Sequence, residues 1–279
     1  MGEGTLYLVA TPIGNLEDIT LRALRVLREA DRIYAEDTRR TRVLLERHSI
    51  SARPRSLHAH NEARRTEELR AALADGEQIA LVSDAGTPLL SDPGARAVAA
   101  AVADGHPVVP VPGPSAALSA LTASGLGGGP FTFVGFLPRK VGERGRRLAE
   151  LAPRAETLIF FESPRRLGET LVELADAFGS ERRGCVAREL TKLHEECVRG
   201  TLAELAARFA EPPKGELTIV VEGAADARIS REAVAAGELD GRIRSALQGG
   251  RSPRAIAETL AAEGAPKRAV YSRALELRG

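Results

Sequence analysis

The stretch Gln78-Ile-Ala-Leu-Val-Ser-Asp-Ala-Gly-Thr-Pro88 decides the fold class, because an almost wholly apolar run ends in a loop of Gly, Pro and small polar residues. A strand that is apolar on both faces is typical of a parallel sheet covered by helices on both sides. A second run of this kind is Thr5–Ala10, and segments with helical spacing, such as Asn61–Ala74, alternate with these runs. We therefore predict a mostly parallel, doubly wound α/β domain over residues 1–125.

Three predicted strands of this domain end in similar loops, namely Ala10-Thr-Pro-Ile-Gly-Asn15, Ser83-Asp-Ala-Gly-Thr-Pro88 and Val111-Pro-Gly-Pro-Ser115. In open α/β sheets, ligands bind at the carboxyl ends of the strands. Glycine lets a ligand approach the backbone, and proline fixes the loop in advance. The sequence contains no GxGxxG after its first strand and no GxxxxGK[ST], so neither a dinucleotide fold nor a P-loop is indicated. The loops predict a ligand cleft, although such loops can also serve only to turn the chain.

The pattern changes after the Gly-rich segment at residues 125–130. Strand-like runs, among them Phe131–Phe136 and Glu216–Val221, alternate with helical segments. Two neighbouring strands flank Thr191–His194, which implies a hairpin and hence an antiparallel pair. We predict a mixed or antiparallel second α/β domain over residues 126–225 that completes the cleft.

The tail, residues 226–279, follows a Gly- and Ala-rich linker near Gly223–Ala227 and has helical periodicity on both sides of a turn at Gly264. We predict a small helical unit that is compatible with a helix-turn-helix. Many helical hairpins of this size bind no nucleic acid and only dock on a neighbouring domain. Contact of the tail with RNA or DNA therefore stays open.

Composition excludes several protein classes. No apolar stretch approaches the ~18 residues that a membrane-spanning helix needs, and the segment before Thr5 lacks the basic region of a signal peptide. The two cysteines, Cys185 and Cys197, form neither a disulfide framework nor a CxxC metal motif. We expect a soluble cytoplasmic protein that has no membrane partner and binds no metal.

The formal net charge is only +1, but the cations are clustered. Residues 39–70 carry nine Arg against four acidic residues, and residues 139–154 carry six cations against two acidic residues. Basic patches of this kind can contact a phosphate backbone, but they can equally be solvated helix faces. The candidate RNA contacts are Arg39, Arg40, Arg42, Arg64, Arg65, Arg139, Lys140, Arg144, Arg146 and Arg147.

Several motifs along the chain resemble those of the tetrapyrrole methylase superfamily and, within it, a branch that methylates RNA of the small ribosomal subunit. They lie at residues 8–20, 35–39, 83–94, 112–115, 133–139, 160–166, 188–192 and 214–216. The resemblance covers nearly the whole chain, including the helical tail. It implies a homodimeric enzyme that binds S-adenosylmethionine between its two domains and methylates a ribose 2′-hydroxyl of a cytidine in 16S rRNA. The alternatives are a methyltransferase of a tetrapyrrole or corrin precursor and a non-catalytic RNA-binding assembly module.

The resemblance and the loop chemistry together predict a donor site. Loops of the first domain are expected to wrap the donor with main-chain groups, while apolar residues of the second domain seat the adenine. Asp84 and Asp92 could instead only cap the helix that follows them. The candidate donor-binding residues are Thr11, Pro12, Asp84, Ala85, Gly86, Thr87, Pro88, Asp92, Pro112, Gly113, Pro114, Ser115, Phe136, Leu190 and Leu217.

Methylation of a hydroxyl needs a group that takes its proton, and four residues near the predicted cleft are candidates. Asp37 and Glu162 each follow a strand, where a carboxylate can also cap a helix. His60 shares a strand face with His58 if that strand persists, although a plain surface histidine is the alternative. Lys192 is one of only four lysines, and an ammonium can lose its proton when it is buried.

Overall fold

A computed structural model describes residues 3–224, 239–263 and 265–278 of the chain. The chain divides into two compact units, Met1–Ala152 with Glu156–Glu222, and Pro153–Ala155 with Gly223–Gly279. Both β-sheets belong to the first unit. The predicted boundary near residue 125 falls between the last strand of one sheet and the first strand of the other, and as a domain boundary it stays a prediction.

The first sheet has five parallel strands in the order β3-β2-β4-β1-β5. They are β1 (Thr5–Val9), β2 (Arg32–Ala35), β3 (Arg55–Ser56), β4 (Gln78–Val82) and β5 (Val108–Val111). The strand that decides the fold class, β4, is buried at every position after Gln78. The parallel sheet that the sequence predicts is confirmed.

Helices cover both faces of this sheet, which explains why its strands are apolar on both sides. They are α1 (Leu21–Glu29), α2 (Thr38–Arg47), α3 (Glu62–Ala74) and α4 (Ala95–Ala103). Side chains of α1 and α2, such as Leu27 and Leu45, share one core cluster, while side chains of α3 and α4, such as Leu69 and Ala97, share another. A short 3₁₀ turn (Leu16–Asp18) precedes α1, which begins after the capping residue Thr20.

The second sheet is mixed and has the order β6-β7-β10-β8-β9. Its first two strands are parallel and the other three pairs are antiparallel, which confirms the predicted mixed sheet and its hairpin. Three helices cover one face, and a helix that the sequence analysis did not predict, α5 (Ala116–Ser124), covers the other. The remaining elements of this half are β6 (Phe131–Phe136), α6 (Val141–Leu151), β7 (Thr157–Glu162), α7 (Leu167–Phe178), β8 (Arg183–Arg188), β9 (Glu196–Thr201), α8 (Leu202–Arg208) and β10 (Leu217–Val221).

The second unit is helical in its described part, with α9 (residues 239–248), α10 (Pro253–Ala262) and α11 (Lys267–Arg278). Ile243, Ile256, Leu260 and Val270 form its core. The predicted turn at Gly264 and most of the tail's linker lie outside the described residues. Within the residues that are described, no helix has the length and apolar character that crossing a membrane requires.

The strand order places the predicted loops together. The strands β1 and β4 are parallel neighbours, but the connections that follow them run to opposite edges of the sheet. After β1 the chain continues to β2, towards the edge formed by β3, and after β4 it continues to β5 at the other edge. A reversal of this kind opens a crevice at the carboxyl ends of the two strands, where ligands bind in open α/β sheets. The loops that follow β1 and β4 both lie at this crevice.

Candidate functional site

Hydrogen bonds join the three loops into one rigid floor. Thr11 and Gly86 exchange two backbone hydrogen bonds, each of 2.9 Å, between the loops that follow β1 and β4. The Thr11 hydroxyl also donates to the Ser83 carbonyl at 3.0 Å, and the Thr87 hydroxyl donates to the Pro114 carbonyl at 3.3 Å. The floor is therefore shaped before any ligand arrives, as a binding site with a low cost of ordering requires.

Two glycines are needed where these loops approach their neighbours. Gly86 has a φ of +84°, in the region that glycine favours, and a Cβ there would lie 3.3 Å from Ile13. A Cβ on Gly14 would lie 2.5 Å from Cγ of Lys192, inside any normal contact distance. Gly14 thus lets the loop after β1 pack against the segment that joins β8 to β9.

A cavity of about 510 Å³, named here the larger cavity, lies between the carboxyl end of the parallel sheet and the edge of the mixed sheet where β6 and β7 end and β10 begins. This volume is within the range of about 300–1,000 Å³ that is usual for small-molecule sites. Its lining comes from the floor loops, from the end of β2 and from four strands of the second sheet. The lining residues are Ile13, Glu36, Arg40, Asp84, Ala85, Leu90, Ser91, Asp92, Ala116, Phe136, Phe161, Glu162, Ser163, Pro164, Ala187, Leu190, Gly215, Glu216, Leu217 and Thr218.

The larger cavity is acidic. Glu36, Asp84 and Asp92 line the first-sheet side of its wall, and Arg40 is its one cation among the described residues. Burial raises the pKa of Asp92 to about 6, and the charges of Glu36 and Asp84 add to this effect. Asp84 accepts a hydrogen bond from the Asp37 backbone at 2.7 Å, whereas the Glu36 and Asp92 side chains have no hydrogen bond or ion pair with any described residue. Carboxylates without such partners favour a cation, so the cavity favours a positively charged ligand.

The larger cavity also has an apolar and partly exposed surface. Phe136 is 55% exposed and Leu90 is 38% exposed, and both line the cavity together with Leu190 and Leu217. The Phe136 ring packs edge-on against Phe161 with 5.7 Å between the centroids. An aromatic ring held by a neighbour and open on its other side can pack against a flat ligand ring.

A second cavity of about 330 Å³, named here the smaller cavity, adjoins the larger one. The two share the residues Ile13, Arg40, Asp84, Ala85 and Glu216. The remaining wall of the smaller cavity consists of Thr11, Pro12, Gly14, Leu16, Thr41, Val43, Leu44, Ser83 and Lys192. The candidate site therefore has two compartments with one common wall.

The predicted donor-binding residues divide into two groups. Asp84, Ala85, Asp92, Phe136, Leu190 and Leu217 line the larger cavity, and Thr11, Pro12, Asp84 and Ala85 line the smaller one. In contrast, residues 86–88 and 112–115 line neither cavity and lie in the loops that support the floor. Ser115 caps α5, whose first residue, Ala116, reaches the larger cavity instead.

Asp37 and His60 do not reach either cavity. The Asp37 carboxylate caps α2, and its hydrogen bonds from the side chain and backbone of Arg39 hold its pKa well below the ordinary range. The strand that was to align His58 with His60 ends at Ser56, so this expectation is wrong: the two imidazoles lie in the turn before α3, and His60 is exposed. The capping and surface alternatives describe these two residues.

Glu162 and Lys192 do line the site, but both are fully engaged. Glu162 is buried and accepts hydrogen bonds from the Ser163 backbone at 2.7 Å and from the Thr170 hydroxyl at 2.8 Å. The Lys192 ammonium donates to Glu189 at 2.8 Å and to Glu216 at 2.9 Å. Burial lowers the pKa of Lys192, but these two carboxylates outweigh it and hold the pKa above its ordinary value. Lys192 is therefore a cation of the site and a poor base.

Most of the predicted RNA contacts are at the surface, and several are paired with acidic residues. Arg39 pairs with Asp37, Arg64 and Arg65 with Glu68, Lys140 with Glu143, and Arg147 with Glu150. Arg40, Arg42, Arg139 and Arg146 are exposed, and their side chains make no hydrogen bond or ion pair with any residue that the structure describes. These four are the cations most available to a polyanion.

Arg144 must be removed from the candidate RNA contacts. It is 3% exposed and lies between α6 and α7, where its guanidinium donates to Glu169 and to both carboxylate oxygens of Glu173. It also donates to the Arg139 carbonyl at 3.2 Å. With its donors occupied and its surface covered, Arg144 cannot reach a phosphate and instead fastens two helices together.

Sequence reasoning missed several lining residues, above all Glu36, Leu90 and Phe161. Glu36 follows β2 directly, as Ser83 follows β4, so its position at a strand end was a usable signal. Leu90 and Ser91 belong to a loop in which Leu89 has a φ of 72° and Ser91 a φ of 70°. No sequence pattern indicated that strained conformation. Among the described residues, no group of three or more His, Cys, Asp or Glu is arranged to hold a metal ion.

Comparison with known proteins places the chain among methyltransferases. Residues 5–206 match the family described as Tetrapyrrole (Corrin/Porphyrin) Methylases. The chain is 50% identical over 278 residues to the ribosomal RNA small subunit methyltransferase I of Mesorhizobium japonicum. This alignment covers 99% of this chain and 93% of the relative. It is 46% identical to the protein of the same name from Escherichia coli O157:H7, with 99% and 96% covered.

Solved structures share the fold. The methyltransferase CobJ superposes with a TM-score of 0.62 at 20% identity, over 81% of this chain and 95% of that one. A uroporphyrin-III C-methyl transferase from Thermus thermophilus, complexed with S-adenyl homocysteine, superposes with a TM-score of 0.56 at 25% identity, over 78% of this chain and 97% of that one.

Proposed function

The chain belongs to the tetrapyrrole methylase family and, within it, to the ribosomal RNA small subunit methyltransferase I family, and from this we propose that it transfers a methyl group from S-adenosylmethionine to a ribose 2′-hydroxyl of a cytidine in 16S rRNA. The observation that carries the proposal is the larger cavity, whose lining combines several carboxylates with an open aromatic face and leucine side chains. We propose further that the enzyme acts as a homodimer in the cytoplasm.

The residues of the larger cavity fit this donor. A sulfonium and an ammonium group are cations, which suit a wall that carries Glu36, Asp84 and Asp92. The adenine is a flat aromatic ring whose faces can stack, which suits the open face of Phe136 and the side chain of Leu190. The volume of about 510 Å³ is ample for a ligand of nucleoside size.

The chemistry asks for positioning more than for a reactive side chain. S-adenosylmethionine supplies an electrophilic methyl group: as the hydroxyl oxygen forms a bond to the methyl carbon, the carbon–sulfur bond breaks, its electron pair stays on sulfur, and the hydroxyl proton leaves. The rigid floor of hydrogen-bonded loops holds the walls of both compartments in fixed positions. Holding two reactants in line can supply a large part of the rate acceleration.

Among the cavity carboxylates, we propose Asp92 as the group that receives the hydroxyl proton. It lines the larger cavity, and its carboxylate makes no hydrogen bond or ion pair with any described residue. Its pKa of about 6 leaves it ionised at neutral pH and yet more basic than an ordinary aspartate. Of the four residues proposed from sequence, Asp37 and His60 reach neither cavity. Glu162 is held by two hydrogen bonds, and Lys192 is protonated.

One experiment separates the proposal from its two alternatives. The purified protein is incubated with radiolabelled S-adenosylmethionine and, in parallel, with unmodified small ribosomal subunits, naked 16S rRNA or uroporphyrinogen III. We expect label in 16S rRNA. After digestion of this RNA to nucleosides, the label should be found in 2′-O-methylcytidine. Label in the tetrapyrrole alone would replace the substrate, and RNA binding without any label would favour the assembly module.

A paired measurement checks the donor site. Titration calorimetry with S-adenosylmethionine should show a weakened affinity for Asp84→Ala and for Gly86→Val, since one removes a cavity carboxylate and the other distorts the floor at a φ of +84°. The expected loss is about tenfold or more, as for the removal of a charged group from a buried site. Affinities equal to that of the wild type in both variants would remove this loop from the donor site.

A further inference from the structure

The donor proposed above occupies the larger cavity, which leaves the space of the smaller cavity open for a second ligand, although the two cavities share Asp84 and Ala85. The smaller cavity lies on the other side of a wall formed by Ile13, Arg40 and Asp84, among others, and it reaches back along α2 to Val43. Val43 is 58% exposed although it is apolar, and Leu16 and Leu44 lie beside it. The compartment thus offers an apolar surface next to the site of methyl transfer.

The charges of the two compartments differ. Each has Asp84 and Glu216, but the larger cavity adds Glu36, Asp92 and Glu162, whereas the smaller one adds the cation Lys192. The smaller cavity is therefore close to neutral, and the larger cavity is strongly negative. An anionic ligand is repelled much less by the smaller compartment.

Of the two cations in the smaller cavity, Arg40 is the one without a hydrogen-bonded partner among the described residues, although Glu36 and Asp37 are close enough to interact with its charge. Lys192 is already held by Glu189 and Glu216. The Arg40 side chain makes no hydrogen bond or ion pair with any described residue, although it lies in both compartments. A free guanidinium next to a polar floor is suited to bind phosphate with two parallel hydrogen bonds.

We propose that the smaller cavity receives the acceptor nucleotide and that Arg40 binds a phosphate next to the acceptor ribose, at the wall that separates the two compartments. The inference rests on the proposed function and specifies it, since it names the compartment of the acceptor and the residue that positions it. Arg40 is a positioning residue: it holds the nucleotide so that the hydroxyl faces the larger cavity. Its neighbour Arg39 differs, because Asp37 already neutralises it and it lines neither cavity.

The test is single-turnover methylation of unmodified small ribosomal subunits with excess protein and saturating S-adenosylmethionine, using Arg40→Ala and Arg40→Lys. We expect Arg40→Ala to lower the rate at saturating protein by about tenfold to a hundredfold, the effect of a misplaced reactant. Arg40→Lys should be intermediate, since lysine keeps the charge but loses the paired hydrogen bonds. Arg47→Ala is the matched control, an exposed arginine on the same helix that lines neither cavity.

Donor affinity, measured by calorimetry on the same variants, distinguishes the explanations. If Arg40 positions the acceptor, the affinity of Arg40→Ala for S-adenosylmethionine stays within about twofold of the wild type or rises, since the variant removes a cation from the wall of an acidic cavity. A loss of donor affinity equal to the loss of rate would assign Arg40 to the donor and overturn the inference. A wild-type rate for Arg40→Ala, with wild-type protein active, would overturn this inference alone. Wild-type protein that labels no ribosomal RNA would refute the proposed function and this inference together.

Discussion

Two charged regions of the first unit differ in whether their charged side chains have partners. Around Arg144, between α6 and α7, a buried guanidinium is matched by the carboxylates of Glu169 and Glu173. Around the larger cavity, the half-buried Asp92 and the exposed Arg40 have no hydrogen-bonded partner among the described residues. Buried charges that are paired contribute to a fixed structure, whereas a half-buried carboxylate without a partner destabilises the protein until a ligand supplies the missing charge. An exposed guanidinium without a partner stays available to an anionic ligand. The difference distinguishes charged residues that stabilise the fold from charged residues that are available to bind a ligand.

The largest expected effect follows from removing Arg144. Arg144→Met keeps an aliphatic side chain but leaves the Glu173 carboxylate without its partner at a site where the arginine is only 4% exposed. Breaking a buried ion pair from one side typically costs about 3–5 kcal/mol of unfolding free energy, and we expect about 3 kcal/mol because Glu169 is partly exposed. Urea denaturation measures this loss, with Arg146→Ala on the same helix as the control.

The comparison fails if Arg144→Met is as stable as its control. It also fails if the folded variant loses donor affinity, because the cluster would then serve the cavity as well as the fold. We expect calorimetry to give a donor affinity within about twofold of the wild type, since Arg144 lines neither cavity.

The second prediction concerns Asp92, whose replacement should increase the free energy of unfolding instead of lowering it. Asp92 has a folded-state pKa of about 6 against an ordinary value of 3.8, so the folded protein holds its proton more tightly than the unfolded chain does. The wild type therefore loses stability as the pH rises from about 4 to about 6 and stays at the lower level above that. Asp92→Asn cannot ionise, and above pH 6 we expect it to be more stable than the wild type by about 1 kcal/mol, a value reduced for the solvent exposure of the group.

Thermal unfolding at pH 4, 5, 6 and 8 shows whether the gain appears in this window. Asp176→Asn, at an exposed position on α7, is the control. A gain that is independent of pH would point to packing instead of charge. The same variant should gain less stability than the wild type from added S-adenosylmethionine, because it lacks the carboxylate that the donor's cation would neutralise.

How far the sequence predicts the molecule depends on which interactions decide each part. The apolar run at β4 and the hairpin at Thr191–His194 follow from local pattern, and both were predicted correctly. Helix α5 was missed because its residues are almost all small or apolar, without a polar face, and it is buried against the second sheet. Strand β3 has only two residues and pairs with β2 alone. The point at which this edge strand ends is set by its pairing with β2, which the local sequence does not reveal.

The candidate site shows the same division. The loops that follow β1 and β4 were located from their glycines and prolines, because such residues carry a local backbone requirement. The sequence could not show which arginines have partners, since the carboxylates that neutralise Arg144 are 25 and 29 residues away. Nor could it show that residues of the floor loops, α2 and the segment before β10 line two adjoining compartments.

The smallest expected effect concerns two neighbouring surface arginines of α6, of which one has an acidic partner and the other has none. Arg146 has no partner among the described residues, whereas Arg147 pairs with Glu150 at 3.0 Å. If α6 contacts RNA, each free cation that binds a phosphate adds about 0.7–0.9 to the slope of log affinity against log salt concentration. We expect Arg146→Ala to reduce the slope by about this amount and Arg147→Ala to reduce it less, because Arg147 must first leave Glu150. Equal slopes in both variants and the wild type, measured by filter binding to small ribosomal subunits, would show that this face of α6 is only solvated.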